Sequence, residues 1–323
     1  MKSYLFIDPV CPKPYTGDSI NGGGLGGTEA TVIRVAEGLG NSVVMQHNRT
    51  TPHQGKIPYV GPDWTVGADV TVVLRCPYTA LAARQRVKRG PVYLWLHDLC
   101  NAPYAGQMQA LHDREIEIIC VSQYHKFQIL DTIRQHAPTA QVPKIHVIYP
   151  PIEGGLVPDP NIRVIPNKLM FFSSPHKGLA YALDTFKTLR QEHSPDLELF
   201  IANPGYFPIP PIDNPGVTVL GSLPRADLLR HVQQAAFIWY PNHVFPETFG
   251  LVFAESNALG TPVITHPLGS AREVLEHNEQ IVDTRDRKKL FDLANAWLGG
   301  NRPTVTANPK FRLAEVLKKW QSL

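Results

Sequence analysis

Short apolar runs alternate with stretches of helical periodicity along the whole chain. In the first half the runs at residues 4–8, 42–47, 69–74, 92–97, 116–122 and 145–149 predict strands, with helical patterns notably at 28–39 and 123–136. The second half repeats the alternation. Strands are expected at 168–173, 197–203, 217–221, 237–240, 262–265 and 280–283, and helices at 178–192, 225–235, 250–259, 271–276 and 287–298. Apolar strands separated by helices imply parallel sheets covered on both faces. Periodicity stops and prolines crowd from Tyr149-Pro150-Pro151-Ile152 to Asn167, which reads as a join between two halves of the same kind. A last helical pattern, about residues 309–321, carries Phe311, Leu313, Ala314, Leu317 and Trp320 as an apolar stripe.

At 323 residues the chain exceeds one typical domain, and two domains of roughly 150 residues are expected. The composition, 43% hydrophobic and 18% charged, is that of an ordinary globular protein. A net charge of +3, scattered along the chain, gives no footprint for nucleic acid. Lys318-Lys319 reads as a solvated face, and peripheral contact with an anionic membrane surface stays open. Cys11, Cys76, Cys100 and Cys120 show no CxxC spacing, so free thiols in a cytoplasmic protein are expected rather than disulfides or a zinc site. The apolar run in MKSYLFIDPV is shorter than a signal-peptide core, and no stretch approaches the ~20 residues of a membrane span.

Chemistry concentrates in FPETFGLVFAESNALGTPVITHP, residues 245–267. On a helix opened by Gly250, the neighbours of Glu255 at three and four residues are Leu251, Val252, Ala258 and Leu259, all apolar. A carboxylate on such a stripe needs a partner, since burying it bare costs several kcal/mol. Glu247 lies in the loop before the helix N-terminus, where backbone N–H groups and the dipole favour an anion. Two carboxylates flanking an anion-loving amide cluster suit a phosphorylated, hydroxyl-rich ligand such as a sugar nucleotide.

The run Asn21 to Thr28 contains Gly22-x-Gly24-x-x-Gly27, and Thr28 can cap the following helix. It fits a dinucleotide fingerprint poorly. About 13 residues separate Asp8 from the glycines, and the second strand ends in His47 with no acidic residue for a ribose. His97-Asp98 ends a strand, with Asp98 able to orient the imidazole or cap the next segment. Lys177 sits at a strand–helix turn beside Gly178, Ser173 and Ser174, a setting suited to a diphosphate. Arg75, His243 and Arg272 lie near strand ends or loops without decisive spacing, and the loop Asn203-Pro204-Gly205-Tyr206 receives no role.

Glu-x7-Glu within PETFGLVFAESNALGTPVI resembles the donor-site signature of retaining GT-B glycosyltransferases, most of all glycosyltransferase family 4. The resemblance implies an α/β fold of two Rossmann-like, doubly wound domains facing a central cleft. The acceptor-side domain would span 1–150, with helix 309–323 packing back on it, and the donor domain 151–308. It implies transfer of a sugar from a nucleotide-diphosphate donor, UDP- or GDP-linked, to a hydroxyl acceptor with retention, and without metal or further cofactor; no Asp-x-Asp occurs. Glu247 would then meet the sugar hydroxyls, Glu255 the ribose, His97 a sugar hydroxyl and Lys177 the departing diphosphate. Phe249, Gly250 and Leu251 would present amides to that diphosphate, Gly26 and Gly27 would approach the donor or acceptor, and Gly221-Ser222 would read the nucleobase. Phe172 stands where the family commonly has Arg, leaving Ser173 or Ser174 as donors in its place. Alternatives are a nucleotide-sugar-binding protein without transfer and a GT-B sugar-nucleotide epimerase; a nicotinamide oxidoreductase would need the missing acidic residue.

Overall fold

The computed structural model describes residues 2–205 and 207–323, so Tyr206 lies outside the described residues. The chain divides into two compact units. One comprises residues up to Ser19 together with 27–151 and 313–323; the other comprises 20–26 and 152–312.

In the first unit, β1 (Tyr4–Asp8), α1 (Gly27–Leu39), β2 (Ser42–Gln46), β3 (His53–Gln54), β4 (Pro58–Val60) and β5 (Val70–Leu74) follow in order. Then come α2 (Pro77–Arg86), β6 (Val92–Trp95), α3 (Ala102–Ala105), α4 (Met108–Asp113), β7 (Ile116–Cys120), α5 (Gln123–His136) and β8 (Ile145–Val147). The strands form a sheet in the order β3-β4-β2-β1-β5-β6-β7-β8. All pairs are parallel except the short edge pair β3–β4. Every residue of β5 and β6 is buried, as a strand covered on both faces requires. The alternation seen in sequence did not reveal α2, whose Pro77 at its first turn and lack of a continuous apolar stripe hide it. Helix α1 begins at Gly27, so Thr28 sits within its first turn rather than capping it.

The helix Leu313–Gln321 belongs to this unit and buries Trp320 against Phe6 (ring centroids 5.6 Å apart) and Trp95 (4.6 Å). Tyr4 Oη donates to the Trp320 carbonyl. Gly38 admits this helix closely: a Cβ there would lie 2.8 Å from Leu317 Cδ1. The expected helix over 309–321 is interrupted. Pro309–Phe311 is a 3₁₀ turn capped by Asn308, and Phe311 and Arg312 stay with the second unit.

The second unit contains β9 (Ile165–Phe172), α6 (Leu179–His193), β10 (Glu198–Ala202), β11 (Val217–Gly221), α7 (Arg225–Gln234) and β12 (Ala235–Tyr240). It continues with α8 (Leu251–Ala258), β13 (Val263–Thr265), α9 (Ala271–Val274) and α10 (Arg287–Leu298). Its sheet runs β11-β10-β9-β12-β13, all parallel. The strand expected at 280–283 reduces to a single bridge, Thr265 to Ile281, beside a 3₁₀ turn at Asn278–Gln280. A side chain takes over the ladder there: buried Gln280 Oε1 accepts from Val263 N–H at 2.8 Å. No helix among the described residues is long and apolar enough to cross a membrane.

Candidate active site

In the second unit the loop after β9 and the loop before α8 meet through a charged cluster. Lys177 Nζ donates to both oxygens of Glu247, at 2.9 and 2.8 Å. Tyr240, the last residue of β12, donates to Glu247 Oε1 at 2.7 Å. Glu247 is 7% exposed, so the lysine and phenol supply the partners its burial demands. Burial first, and then the Glu247 carboxylate, keep the Tyr240 phenol protonated far above its ordinary range, while Ser173 hydrogen-bonds the phenol oxygen. Lys177 Nζ also lies over the Phe245 ring at 5.3 Å, a cation–π contact.

The backbone holds this cluster through two glycines. Gly269, at φ +66°, lies against Glu247: a Cβ there would be 2.5 Å from its carbonyl oxygen, and Ser270 N–H donates to that same oxygen. Gly250, at φ +80°, caps α8 in the left-handed region. Phe249 is buried, its carbonyl accepting from Ser270 Oγ at 2.7 Å, and Leu251 opens the helix. Ser174 is buried with its Oγ lacking a hydrogen-bond partner among the described residues, beside the turn in which Lys177 N–H returns to the Ser174 carbonyl.

Glu255 sits on the buried face of α8, and its partner is Arg225, the first residue of α7. The guanidinium forks onto both Glu255 oxygens at 2.7 and 2.9 Å, and its Nε donates to Glu153 at 2.9 Å. Burial opposes the guanidinium charge, but Glu255 and Glu153 outweigh it and hold the Arg225 pKa above its ordinary value. The sequence carried one signal of this: an arginine at a helix N-terminus stands against the dipole and needs carboxylates to hold it. Just before it, Gly221 ends β11 at φ +69° and exposed Ser222 follows. The glycine run belongs to this unit through residue 26; a Cβ on Gly23 would lie 2.8 Å from Ser222 Oγ. Gly26 is buried in that run, and Gly27 is exposed at the start of α1.

In the first unit His97 lies just beyond β6, 8% exposed, its ring 4.6 Å from that of Trp95. Burial first, then the charges of Arg75 and His125, hold its pKa well below the ordinary histidine value. Asp98 is exposed, and its backbone carbonyl meets His125 Nε2 at 2.9 Å. Sequence reasoning passed over His125, which α5 buries behind this turn. Arg75 follows β5 at φ +58°, a conformation costly for a residue with a Cβ. Its guanidinium reaches Glu29 at 3.2 Å and Asp8 at 3.6 Å, and Tyr15 Oη donates to Asp8 at 3.0 Å. Burial works against the Arg75 charge, and Asp8 and Glu29 still raise its pKa. Of the remaining polar candidates, His243 packs edge-on against Tyr181 and Arg272 is exposed.

Residues 166–298, within the second unit, match the family Glycosyl transferases group 1. No curated protein matches the chain significantly. Among solved structures, Anabaena HepE in complex with UDP is 15% identical with a TM-score of 0.67, over 99% of this chain and 98% of that one. Sucrose-phosphate synthase from Thermosynechococcus elongatus is 14% identical with a TM-score of 0.68, covering 99% of this chain and 96% of its own. A glycosyltransferase from Rickettsia africae is 15% identical with a TM-score of 0.66, covering 99% and 97%. At such identities the likeness speaks to fold. The chain has the α/β fold with parallel sheets found in GT-B glycosyltransferase structures, and its second unit is similar to the group 1 glycosyl transferases.

Proposed function

We propose that this protein is a retaining glycosyltransferase of family 4 type, moving a sugar from a nucleotide-diphosphate donor to a hydroxyl acceptor. The observation that carries the reading is the cluster of Lys177, Glu247, Tyr240 and the partnerless Ser174 hydroxyl, gathered around the start of α8 within the segment that matches the group 1 family. UDP in HepE, and UDP with glucose in a second HepE complex, support a UDP-linked donor.

The leaving group in such a transfer is a diphosphate, so the work lies in stabilising its developing charge. Lys177 supplies a cation, the Ser174 hydroxyl a donor, and the α8 N-terminus its amides and dipole. On reaching a diphosphate, Lys177 would share its ammonium with Glu247, which leaves that carboxylate able to accept a sugar hydroxyl. Tyr240 keeps Glu247 in place during the exchange. Glu255 takes the ribose hydroxyls. His97, neutral at physiological pH, would hydrogen-bond a sugar hydroxyl in either direction. The acceptor loses its proton to the departing phosphate as the new glycosidic bond forms on the face the diphosphate leaves, with neither metal nor cofactor. The four described cysteines are free thiols, which fits work in the cytoplasm.

The test is sugar release and transfer from UDP- and GDP-sugars, with anomeric configuration read by NMR, for wild type and Glu247→Gln. Retained configuration in wild type and lost transfer in a folded Glu247→Gln are expected. Nucleotide-sugar binding without turnover would make the protein a binder, and epimerised donor would make it an epimerase.

A further inference from the structure

Arg225 is placed where a helix favours anions, yet its side chain is only 14% exposed and its guanidinium donates to carboxylates from outside its own helix. Its two terminal nitrogens take the two oxygens of Glu255, and Nε takes Glu153. A fork that engages both oxygens fixes the plane of a carboxylate as well as its charge, which a lysine, as a point charge, does not. The brace continues behind it. Arg312 Nη1 donates to the carbonyls of Glu153 (3.3 Å) and Leu156 (2.8 Å), tying down the segment that carries the second carboxylate. Glu255 is 5% exposed on α8, and its neighbours at three and four residues, Leu251, Val252, Ala258 and Leu259, are apolar.

Resting on the reading of Glu255 as the ribose acceptor, we infer that Arg225 is a positioning residue for the nucleotide: it sets the plane in which Glu255 meets the ribose hydroxyls, and so determines preference for ribonucleotides. Its guanidinium also separates Glu255 from Glu153 and offsets the repulsion between these carboxylates and an incoming diphosphate.

Isothermal titration of UDP, GDP and ADP, each beside its 2′,3′-dideoxy form, tests this in wild type, Arg225→Gln, Arg225→Lys and Glu255→Gln. Wild type is expected to prefer the ribo form by about 10- to 100-fold, the scale of hydrogen bonds to a charged acceptor. Arg225→Gln should bring the ratio within about 3-fold of unity while dideoxy binding persists, matching Glu255→Gln. Arg225→Lys, which keeps charge without the fork, should also lose most of the preference, and it decides the matter if Arg225→Gln does not fold. A merely structural arginine would weaken both forms alike. An unchanged ratio in the arginine variants, with the ratio lost in Glu255→Gln, overturns the role of Arg225 alone. A ratio unchanged in Glu255→Gln, or no binding by wild type, overturns the ribose reading and this inference with it.

Discussion

Acid should destabilise the first unit through His125. Val121 N–H points at Nδ1 of this buried ring (3.4 Å), and Nε2 faces the Asp98 carbonyl (2.9 Å). A donor opposite one nitrogen and an acceptor opposite the other fix a neutral ring protonated at Nε2. A second proton would land on Nδ1, aimed at another N–H. Burial lowers the pKa to about 4, and the Asp98 carbonyl opposes only part of that. The folded value therefore lies below the unfolded value of about 6.5, so the unfolded chain binds more protons between those two pH values. Stability is complete above about pH 6.5 and falls as pH drops toward 4, by about 3 kcal/mol at this site. His97, also depressed, adds in the same direction. At roughly 2–4 °C per kcal/mol, calorimetry from pH 8 to 4 should show a fall of about 6–12 °C in the transition of this unit. In His125→Gln the amide can still donate to Asp98 and accept from Val121 without titrating, so the slope should flatten. An imidazole that titrates near 6.5 by NMR in the folded protein, or a variant with the wild-type pH slope, refutes the argument.

The second unit carries a parallel case at higher pH in Lys168, whose pKa burial lowers to about 8 despite Glu198. Its ammonium meets His231 Nδ1 (3.0 Å) and Gln234 Oε1 (2.9 Å), and it stays protonated more readily when unfolded. Stability should therefore rise with pH from about 8 to 10.5, and Lys168→Met should stabilise at pH 7 with a gain that shrinks by pH 10 in urea unfolding. At the candidate site, Lys177→Met strands a carboxylate of 7% exposure with the phenol for company, whereas Glu247→Gln leaves a lysine able to reach water. The first should cost about 2–4 kcal/mol and the second under about 2; equal costs in chemical unfolding would show the pair to be slack. Gly269→Ala meets both the positive φ and the Glu247 carbonyl, and a loss of about 2 kcal/mol or more is expected; a thermal shift within 1 °C of wild type would contradict the close contact.

The alternation of apolar runs was enough to locate the sheet strands that fill both cores, because a strand buried on both faces leaves a continuous apolar signature. β1, β11, α5 and α10 fall at the residues expected. What failed lacked such a signature. The edge pair β3–β4 is two and three residues long, α2 mixes alanines with polar residues and has no continuous apolar stripe, and at 280–283 a glutamine side chain replaces a strand's backbone. In the candidate site, a carboxylate on an apolar stripe announced that Glu255 needs a partner. That the partner is Arg225, thirty positions earlier, depends on how β11 delivers α7 beside α8, and sequence spacing does not contain that. Tyr240 was hidden likewise, since the end of an apolar strand looks like core until Glu247 folds over it. His125 was hidden because a helix residue and a strand-end carbonyl 27 positions apart meet only in the folded sheet.

The placement of Trp320 has a consequence for biosynthesis. Its indole fills the space between Phe6 and Trp95, so the first unit has a gap at its centre until residue 320 has left the ribosome. Residues 152–312 must be made in between. At about 5–20 residues per second that delay is roughly 10–30 s, and at its end the second unit has its whole chain while the first still does not. The half that is translated first is thus completed last, and a nascent chain stalled within α10 would present an exposed aromatic surface to chaperones.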